Sequence, residues 1–411
     1  MKKTLVLLFT LFLSVSFAQE QTTLTVASFP DLSTATKAAA EVFEQENPNV
    51  TVNVVEKEFN DHHTALLTTL ASGAGAPDVT AIEVGFIAQF VGAGGFEDLT
   101  QEPYNAGQYK EQTAGYAWEQ GSTPEGSLVA MPVDLGPGTM YYRQDLFEQA
   151  GIDPSAAQGS WEDYLEVGRQ LKEQNIRLIP NATHVANAII RSETPEGEGF
   201  YFDSEGNPNV TEERFQKAFR IAKAIRDEGL DLNVSDWSPE WAAGLKEGTV
   251  ATEMFGFWLQ GFLQSNAPDT AGDWRVSNLP GGAYTSWGGS FYAIPQAAQN
   301  KELAWQFIEF MTTREDIQKL AFEEIGAFPS VTTVYDDPIF EEPLEFLGGQ
   351  EGRQVAIEVV NNIKNVATYP NDNLATEIIG DQLTQVLTQD KDIDTALAEA
   401  QRLIERRAGR R

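Results

Sequence analysis

The chain has 411 residues, no cysteine and a formal net charge of -33 at pH 7. A chain of this length exceeds one ordinary hydrophobic core, so two domains are expected. Nucleic acids and anionic membranes bind basic surfaces, so the acidic composition argues against both as partners, and the lack of cysteine excludes disulfides, thiolate metal sites and a lipidated cysteine anchor.

The first eighteen residues have the pattern of a secretory signal. Lys2 and Lys3 precede an apolar run from Leu5 to Leu13, and small residues, Ser16 and Ala18, occupy the two positions that a signal peptidase reads. The apolar run is too short to span a bilayer as a helix, which takes about 20 residues. We therefore expect cleavage after Ala18 and a periplasmic or secreted protein without direct membrane insertion.

Strand and helix patterns alternate after the signal. The predicted elements are strands at residues 23–27, 50–54 and 79–84 and helices at residues 33–47 and 61–72. This order predicts a parallel sheet with right-handed crossovers. Ligands bind at the carboxyl ends of the strands in such sheets. The segments after the first and third strands, 29–31 and 83–86, are therefore expected to lie at one wall of a cleft.

Residues 129–151 join two patterns that are typical of a domain crossing. An apolar run ending at Val133 has the pattern of a buried strand and is followed by Asp134 and a Gly/Pro turn at 136–138. A strand resumes at Tyr141, and a helix is predicted from about Asp145. We interpret this stretch as the chain leaving one domain, passing the edge of a cleft and entering another.

The second half of the chain continues with helices, one short strand and a glycine-rich segment. The predicted elements are helices at 161–174, 211–229, 300–311, 313–324, 374–388 and 393–406, a strand at 248–251, an apolar segment of ambiguous period at 175–191 and a loop at 193–208. Residues 279–295 hold the densest mixture of glycine and aromatic residues. The basic tail, which includes Arg410 and Arg411, fits the cationic end of a helix better than a nucleic-acid surface.

Motifs for several chemistries are missing from the sequence. The histidines are His62, His63 and His184, and neither a zinc-protease motif, a nucleophile elbow, a Walker loop nor a dinucleotide fingerprint is present. Adjacent residues on a helix do not point at one site, so His62 and His63 are expected to cap the helix or face solvent rather than bind metal. No metal and no cofactor are expected.

One acidic segment imitates a calcium loop. Asp390, Asp392 and Asp394 have the right spacing, but Thr395 stands where the loop needs glycine and Gln401 where it needs glutamate. A calcium site is therefore rejected.

The remaining pattern combines aromatic rings and carboxylates. Sugars present flat apolar faces and rims of hydroxyls, which suit aromatic platforms and hydrogen-bond-accepting carboxylates. The candidate ligand-binding residues are Phe29, Asp31, Glu83, Phe86, Asp134, Tyr141, Trp258, Trp287, Gly288, Gly289 and Phe291. Each aromatic residue alone is equally compatible with core packing. Trp287 is the stronger candidate, because Gly288 and Gly289 would let the backbone approach a ligand closely.

The chain resembles the extracellular substrate-binding proteins of carbohydrate ABC importers, the group that includes maltose, trehalose and lactose binders. The segments that carry the resemblance are AEVFEQENPNVTVNV (40–54), the run at 65–99, AMPVDLGPGTMYYRQDLFEQAG (130–151), GTVATEMFGFW (248–258) and the run at 288–312. Their order and spacing together make the resemblance specific, and it covers nearly all of the chain after the signal.

The resemblance implies an α/β fold of the periplasmic-binding-protein type II class. Two lobes, each with a mainly parallel sheet flanked by helices, would be joined by crossing hinge segments. The expected division is 19–132 plus 288–328 for lobe 1 and 133–287 plus 329–411 for lobe 2. A small-molecule carbohydrate would be held between the lobes of a monomer, and closure would present both lobes to the membrane permease of an ABC importer.

The resemblance also implies roles for single residues. Glu83 stands where the family commonly has an aspartate that bonds sugar hydroxyls, and Phe86 where a tryptophan is usual. Asp134 falls at a ligand-facing position just past the first crossing, and Trp258 matches an aromatic platform. Gly288 and Gly289 match a glycine pair beside the sugar. The two departures leave the identity of the sugar open, with a disaccharide or short oligosaccharide favoured.

Two alternatives remain open from the sequence. A secreted glycoside hydrolase would share the aromatic residues and the carboxylates. A binder of the same fold could instead carry a polyamine, which is bound by a box of acidic and aromatic residues, or a metal ion, which is bound by clustered tyrosine and histidine.

Overall fold

The computed structural model describes residues 21–408. The predicted signal peptide and the end of the basic tail, Arg410 and Arg411, lie outside this range. Within it, none of the helices combines the length and the apolar character needed to cross a membrane.

The described chain alternates strands and helices. The strands are β1 (Thr22–Ser28), β2 (Val50–Glu56), β3 (Val79–Glu83), β4 (Met131–Arg143), β5 (Thr252–Gly256), β6 (Trp274–Ser277), β7 (Ser286–Ala293) and β8 (Phe328–Pro329). The helices are α1 (Pro30–Glu46), α2 (Phe59–Ser72), α3 (Val84–Ala93), α4 (Gly115–Gln120), α5 (Gln144–Ala150), α6 (Trp161–Glu173), α7 (Ala182–Ser192), α8 (Glu213–Asp227), α9 (Pro239–Lys246), α10 (Leu259–Asn266), α11 (Lys301–Thr313), α12 (Glu315–Ile325), α13 (Gly352–Asn362), α14 (Asp372–Gln389) and α15 (Ile393–Ala408).

The first lobe is built on a sheet in the order β2-β1-β3-β7-β4. β1 pairs in parallel with β2 and β3, while β7 runs antiparallel between β3 and β4. Alternating residues of β1, such as Leu24 and Val26, are buried. Against them pack α1 and α11, where the ring of Phe43 meets Phe307 and Phe310 edge-on at centroid distances of 5.2 and 5.1 Å. The burial of this apolar face holds the lobe together.

The second lobe contains the far half of β4, which pairs antiparallel with β5 and β6. Isolated parallel bridges, Arg177 to Val250 and Ile179 to Asp231, extend this sheet. One core lies between the sheet and helices α6, α7, α8, α14 and α15. The sheet is therefore mixed rather than mainly parallel. β1 pairs in parallel with β2 and β3, whereas the ladders of β7 and β4 are antiparallel in both lobes.

The stretch predicted as strand, turn and strand is one continuous strand. β4 runs through Gly136, Pro137 and Gly138 without a break and carries register shifts between 132 and 134 and between 135 and 137. A Cβ at Gly136 would lie 2.3 Å from the carbonyl oxygen of Trp287. The glycine therefore allows β4 and β7 to approach closely. The two register shifts are β-bulges, which bend a strand where it passes between sheets.

Other predicted elements shift in their bounds. The helix predicted at 161–174 has the expected capping box, in which Ser160 and Asp163 bond each other's backbone N–H. The segments at 29–31 and 83–86 are helix starts, with Phe29 and Glu83 at the N-caps of α1 and α3. The strand predicted at 248–251 lies instead at Thr252–Gly256, and the ambiguous segment ends in α7.

The two lobes touch at the end of the sheet where β3 and β7 meet α3. A Cβ at Gly92 of α3 would lie 2.5 Å from Cγ of Pro370. Nearby, the side-chain amides of Gln89 and Asn373 are 3.5 Å apart. Helix α3 of the first lobe thus packs against the start of α14 of the second, so the lobes are closed on each other here. The predicted lobe boundaries stay a prediction.

Candidate functional site

Two carboxylates lie on one rung of the first sheet. Ser290 of β7 pairs with Glu83 of β3 on one side and with Asp134 of β4 on the other. Residues directly opposite each other in a ladder point to the same face of the sheet, so these three side chains share one face. Since neighbouring strands are about 4.8 Å apart, the two acidic residues flank Ser290 with Cα atoms about 10 Å from each other.

Helix α2 supports Glu83 through a hydrogen bond to its backbone. The Glu83 side chain caps α3 by accepting a bond from the Gly85 N–H at 2.7 Å. Its backbone N–H donates to Nε2 of His63 at 3.1 Å, while Nδ1 of His63 donates to the Phe59 carbonyl at 2.7 Å. These bonds need a neutral imidazole with its proton on Nδ1. Burial is the main cause that lowers the pKa of His63 to about 4, which agrees with the neutral form.

Both neighbouring histidines are buried rather than exposed. His62 and His63 are 2% and 1% exposed, and Nε2 of His62 donates to the Ala81 carbonyl at 2.8 Å. The His63 ring stacks on Phe86 at 3.9 Å with an interplanar angle of 8°. The expectation that this pair caps the helix or faces solvent is therefore wrong, because the start of α2 lies against β3. The sequence signal that was missed is the aromatic neighbourhood of the pair.

The carboxylates of this rung are difficult to ionise. Burial raises the pKa of Glu83 to about 7, although the Gly85 N–H and the charge of Arg191 oppose it. Burial also raises the pKa of Asp134 to about 6. Within residues 21–408, Asp134 Oδ1 and the hydroxyl of Tyr116 are buried without a hydrogen-bond partner. Buried polar atoms without a partner are rare in folded proteins, and such atoms can accept or donate a bond to a bound water, ion or ligand.

Arg191 of α7 is a residue of the second lobe whose charge acts on the carboxylates of the first. Its guanidinium donates to the Ser286 carbonyl at 3.3 Å, and its Cζ atom lies 4.8 Å from the ring centroid of Phe200 and 5.8 Å from that of Trp287. The charge of Arg191 opposes the rise in the pKa of Glu83 in the first lobe. Burial also raises the pKa of Asp372 of α14, to about 7, and the charge of Arg191 opposes this rise as well.

Neither Arg191 nor Asp372 was predicted from the sequence. Within the described chain, Oδ1 of Asp372 and Oδ1 of Asn371 are also buried without a partner. A guanidinium between acids of both lobes can hold a polar ligand that reaches from one lobe to the other. No local pattern marks these residues, because their meeting depends on how α7 and α14 pack.

Trp258 and Trp287 form one aromatic unit. The Trp258 indole N–H donates to the Trp287 carbonyl at 2.8 Å, and Phe255 lies between the rings at 5.4 and 5.5 Å. Gly288 has φ +103, and a Cβ there would lie 2.7 Å from Trp258 Nε1. Gly289 has φ +120, and its Cβ would lie 3.0 Å from the Asp134 carbonyl oxygen. The two glycines therefore make room for the Trp258 ring and the β4 backbone, and their approach to a ligand stays a prediction.

Trp237 extends this aromatic unit and was not predicted. Its side chain is 51% exposed, and its ring lies 5.9 Å from Trp258 and 5.5 Å from Phe255. Its backbone has φ +62, which is uncommon for a bulky residue. Such strain persists when the surroundings hold it and is found at functional sites.

Four candidates from the sequence do not join the site. Tyr141 is fully buried and its hydroxyl donates to the Phe257 carbonyl at 2.7 Å. Phe291 and Phe29, 2% and 6% exposed, belong to cores of the first lobe. Asp31 is exposed in the first turn of α1 and makes no hydrogen bond to the site within the described range. Phe291 follows Ser290, so alternation along β7 turns it to the opposite face.

Comparison with known proteins decides the family. A family model described as bacterial extracellular solute-binding protein matches residues 38–346. The chain belongs to this family. Similar characterised proteins include the lactose-binding protein of Rhizobium radiobacter, 27% identical over 328 residues that cover 76% of each chain. The arabinooligosaccharide-binding protein of Halalkalibacterium halodurans is 26% identical over 372 residues, which cover 84% of this chain and 80% of that relative.

Solved structures of similar fold confirm the architecture of this solute-binding protein. An extracellular solute-binding protein of family 1 has a TM-score of 0.83 at 24% identity and covers 94% of this chain and 99% of its own. An ABC transporter associated binding protein from B. animalis subsp. lactis Bl-04, in complex with beta-1,6-galactobiose, has a TM-score of 0.76 at 23% identity, with 93% and 96% covered. The predicted type II fold and the resemblance to substrate-binding proteins are confirmed.

A buried histidine supports the aromatic unit of the solute-binding protein. His184 Nδ1 lies 2.7 Å from Oε1 of Glu253, and Nε2 lies 2.8 Å from Oδ1 of Asp236. Glu253 is fully buried and also accepts from the Trp241 indole N–H at 2.7 Å. Burial alone would lower the pKa of His184, but the two carboxylates outweigh it and raise the pKa to about 10. The histidine is therefore an imidazolium, 6.5 Å from the ring of Trp287.

A small cavity of the solute-binding protein lies beside Arg191. Its volume is about 10 Å³, which is room for about one water molecule, and its lining includes Arg191, Ser286 and Gln120 but not Glu83 or Trp287. Among residues 21–408, no group of three or more metal-binding side chains is close enough to hold an ion.

Proposed function

We propose that this solute-binding protein captures a carbohydrate between its lobes outside the cytoplasm and delivers it to the permease of an ABC importer. The observation that carries the proposal is the meeting of Glu83, Asp134 and Arg191 beside Trp287, with buried oxygen atoms that lack partners in the described chain. Carboxylates and a guanidinium are strong partners for hydroxyl groups, and an indole face suits the apolar face of a sugar ring.

A disaccharide or a short oligosaccharide is the favoured ligand. Two relatives carry names that refer to lactose and to arabinooligosaccharides, and a solved structure of the same fold contains beta-1,6-galactobiose. The acids of the first lobe would accept bonds from hydroxyls of one unit, while Arg191 would donate to it from the second lobe. Phe86, stacked on His63 and half-buried beside Glu83, would form part of the same wall.

Capture would proceed by closure of the lobes. The protein samples open and closed arrangements, and a sugar that binds the closed one better shifts the population by its difference in affinity. A dissociation constant of about 1 µM needs about 8 kcal/mol of binding free energy. A stacked ring and a few charge-assisted hydrogen bonds can supply this amount.

The proposed role requires no chemical step. The protein would bind and release its sugar unchanged, as a monomer without cofactor or metal, after removal of residues 1–18 by a signal peptidase. The named relatives are binding proteins, which supports this role. An assay for sugar release from a model glycoside should show no turnover.

The test is a thermal-shift screen of mono-, di- and oligosaccharides, followed by calorimetry. A ligand that binds only the folded protein raises its melting temperature. The Trp287→Ala variant should bind the selected sugar about 1–3 kcal/mol more weakly while keeping its circular dichroism spectrum. Unchanged affinity would remove Trp287 from the site. Absence of binding to every sugar would overturn the proposed function.

A further inference from the structure

A groove on the second lobe lies next to the small cavity that Arg191 lines. It has a volume of about 480 Å³ and is lined by residues from α6, α7, α8, the segment before β7 and the end of α13. Ser192, Tyr284 and Lys364 line both this groove and the small cavity beside Arg191 and Ser286. We refer to it as the lateral groove. The lateral groove therefore adjoins the small cavity beside Arg191.

The walls of the lateral groove carry hydrogen-bonding groups of both kinds. Lys217 of α8 reaches the groove and pairs with Glu193 at 2.7 Å, with the side chains 24% and 32% exposed. Lys364 adds a second ammonium, and Tyr284 contributes a ring whose hydroxyl donates to Glu358 at 2.7 Å. The lining therefore holds two ammonium groups and one carboxylate. Ammonium and carboxylate groups beside an aromatic ring match the hydroxyls and apolar faces of sugars.

We propose that the lateral groove is a subsite for the outer units of an oligosaccharide whose first unit is held between the lobes. The inference rests on the proposed function and deepens it, because it names a ligand of several units rather than a monosaccharide. The volume of the lateral groove falls within the usual range of about 300–1,000 Å³ for small-molecule sites.

The position of the lateral groove suits a ligand that is longer than the cleft. Its lining residues belong to the second lobe and to the segment that leads into β7, so it stays open when the lobes are closed. A chain of sugars locked at one end between the lobes needs an exit that does not oppose closure. The lateral groove offers this exit at Tyr284, next to the guanidinium of Arg191.

The experiment compares two lysines of the same helix. Lys217 and Lys223 both lie on α8, both have side chains that are 24% exposed, and both form salt bridges, but only Lys217 lines the lateral groove. Calorimetry with one neutral sugar series of one to five units measures affinity against length for the unchanged protein, Lys217→Gln and Lys223→Gln. The unchanged protein should gain affinity beyond the first units, and Lys217→Gln should lose about tenfold for the longer ligands only.

A second pair of variants covers the case in which the loss of one lysine is too small to measure. Asn362 ends α13 at the groove, and Asn266 ends α10 elsewhere, and each amide donates to the carbonyl four residues earlier in its helix, at 2.8 and 3.0 Å. Asn362→Trp should change the affinity for the longer ligands and leave the shorter ones unaffected. Asn266→Trp should change neither.

The results separate the two proposals. If no sugar of any length binds, the proposed function fails and the subsite fails with it. If sugars bind but affinity does not depend on length, or if Lys217→Gln and Asn362→Trp behave like their controls, the proposed function stands and the subsite is overturned. A length-dependent effect confined to the groove variants supports the subsite.

Discussion

Replacement of His184 by glutamine should destabilise the second lobe strongly at neutral pH. His184 is 2% exposed and bridges the buried Glu253 to Asp236, with nitrogen to oxygen distances of 2.7 and 2.8 Å. The substitution leaves Glu253 fully buried with its bonds from the Trp241 indole and the Met254 N–H but without a positive partner. Breaking a buried ion pair by removing one partner costs about 3–5 kcal/mol.

The effect should depend on pH in a defined direction. The pKa of His184 in the folded protein is raised from 6.5 to about 10, so folding takes up a proton between these values. The stabilisation is fully present below pH 6.5 and is lost as the pH rises through 10. At about 1.4 kcal/mol per pH unit, the difference between 6.5 and about 10 corresponds to about 5 kcal/mol.

Urea unfolding of both proteins at pH 6.5 and pH 10 measures this effect, since the difference between them cancels the titration of other groups. The free energy of unfolding should differ by about 3–5 kcal/mol at the lower pH and by much less at the higher one. Adding Glu253→Gln to the His184→Gln variant should restore part of the loss at pH 6.5, because it removes the unpaired charge. A loss below about 1 kcal/mol, or one equal at both pH values, would show that His184 is not a buried imidazolium.

Two glycines offer further tests. Gly288→Ala places a Cβ 2.7 Å from Trp258 Nε1 at φ +103 and should lower the free energy of unfolding, measured in urea, by about 3 kcal/mol. Gly272→Ala is the control, with φ +91 and open space around its Cβ, and should lower the free energy of unfolding by less than half as much. Equal losses would mean that φ alone requires the glycine. Gly92→Ala should raise the stability of the ligand-free protein by up to about 1 kcal/mol, because alanine favours a helix more than glycine does. It should weaken sugar binding about tenfold, because its Cβ would lie 2.5 Å from Pro370 where the lobes touch. Unchanged affinity would show that closure does not bring these residues together.

The sequence was informative where the pattern is local. The alternation of strands and helices in the first lobe, the capping box at Ser160 and the helix at 393–406 follow from the spacing of apolar residues and from cap chemistry. The sequence also selected Glu83, Asp134, Trp258 and Trp287, which the structure brings together at the crossing strands. Their contact with a sugar stays a prediction.

The sequence failed where a residue's role depends on which face or which distant segment it meets. Tyr141 and Phe291 are aromatic like the residues of the site. Alternation along their strands and packing on both faces of the sheet place them in hydrophobic cores instead. Arg191 and Asp372 carry no local signal, because α14 packs against α3, and Arg191 acts on Glu83, only where the two lobes meet.

The sequence by itself determined the class of the protein, the first lobe's βαβ order and the supply of acids and aromatic rings, since these depend on periodicity and composition. The tertiary structure decided the rest. Only the register of β3, β7 and β4 sets Glu83, Ser290 and Asp134 on one rung, and only the packing of α2 behind it makes His63 a buried support. Hydrogen-bond register and burial are properties of segments far apart in the chain, so no window of the sequence contains them.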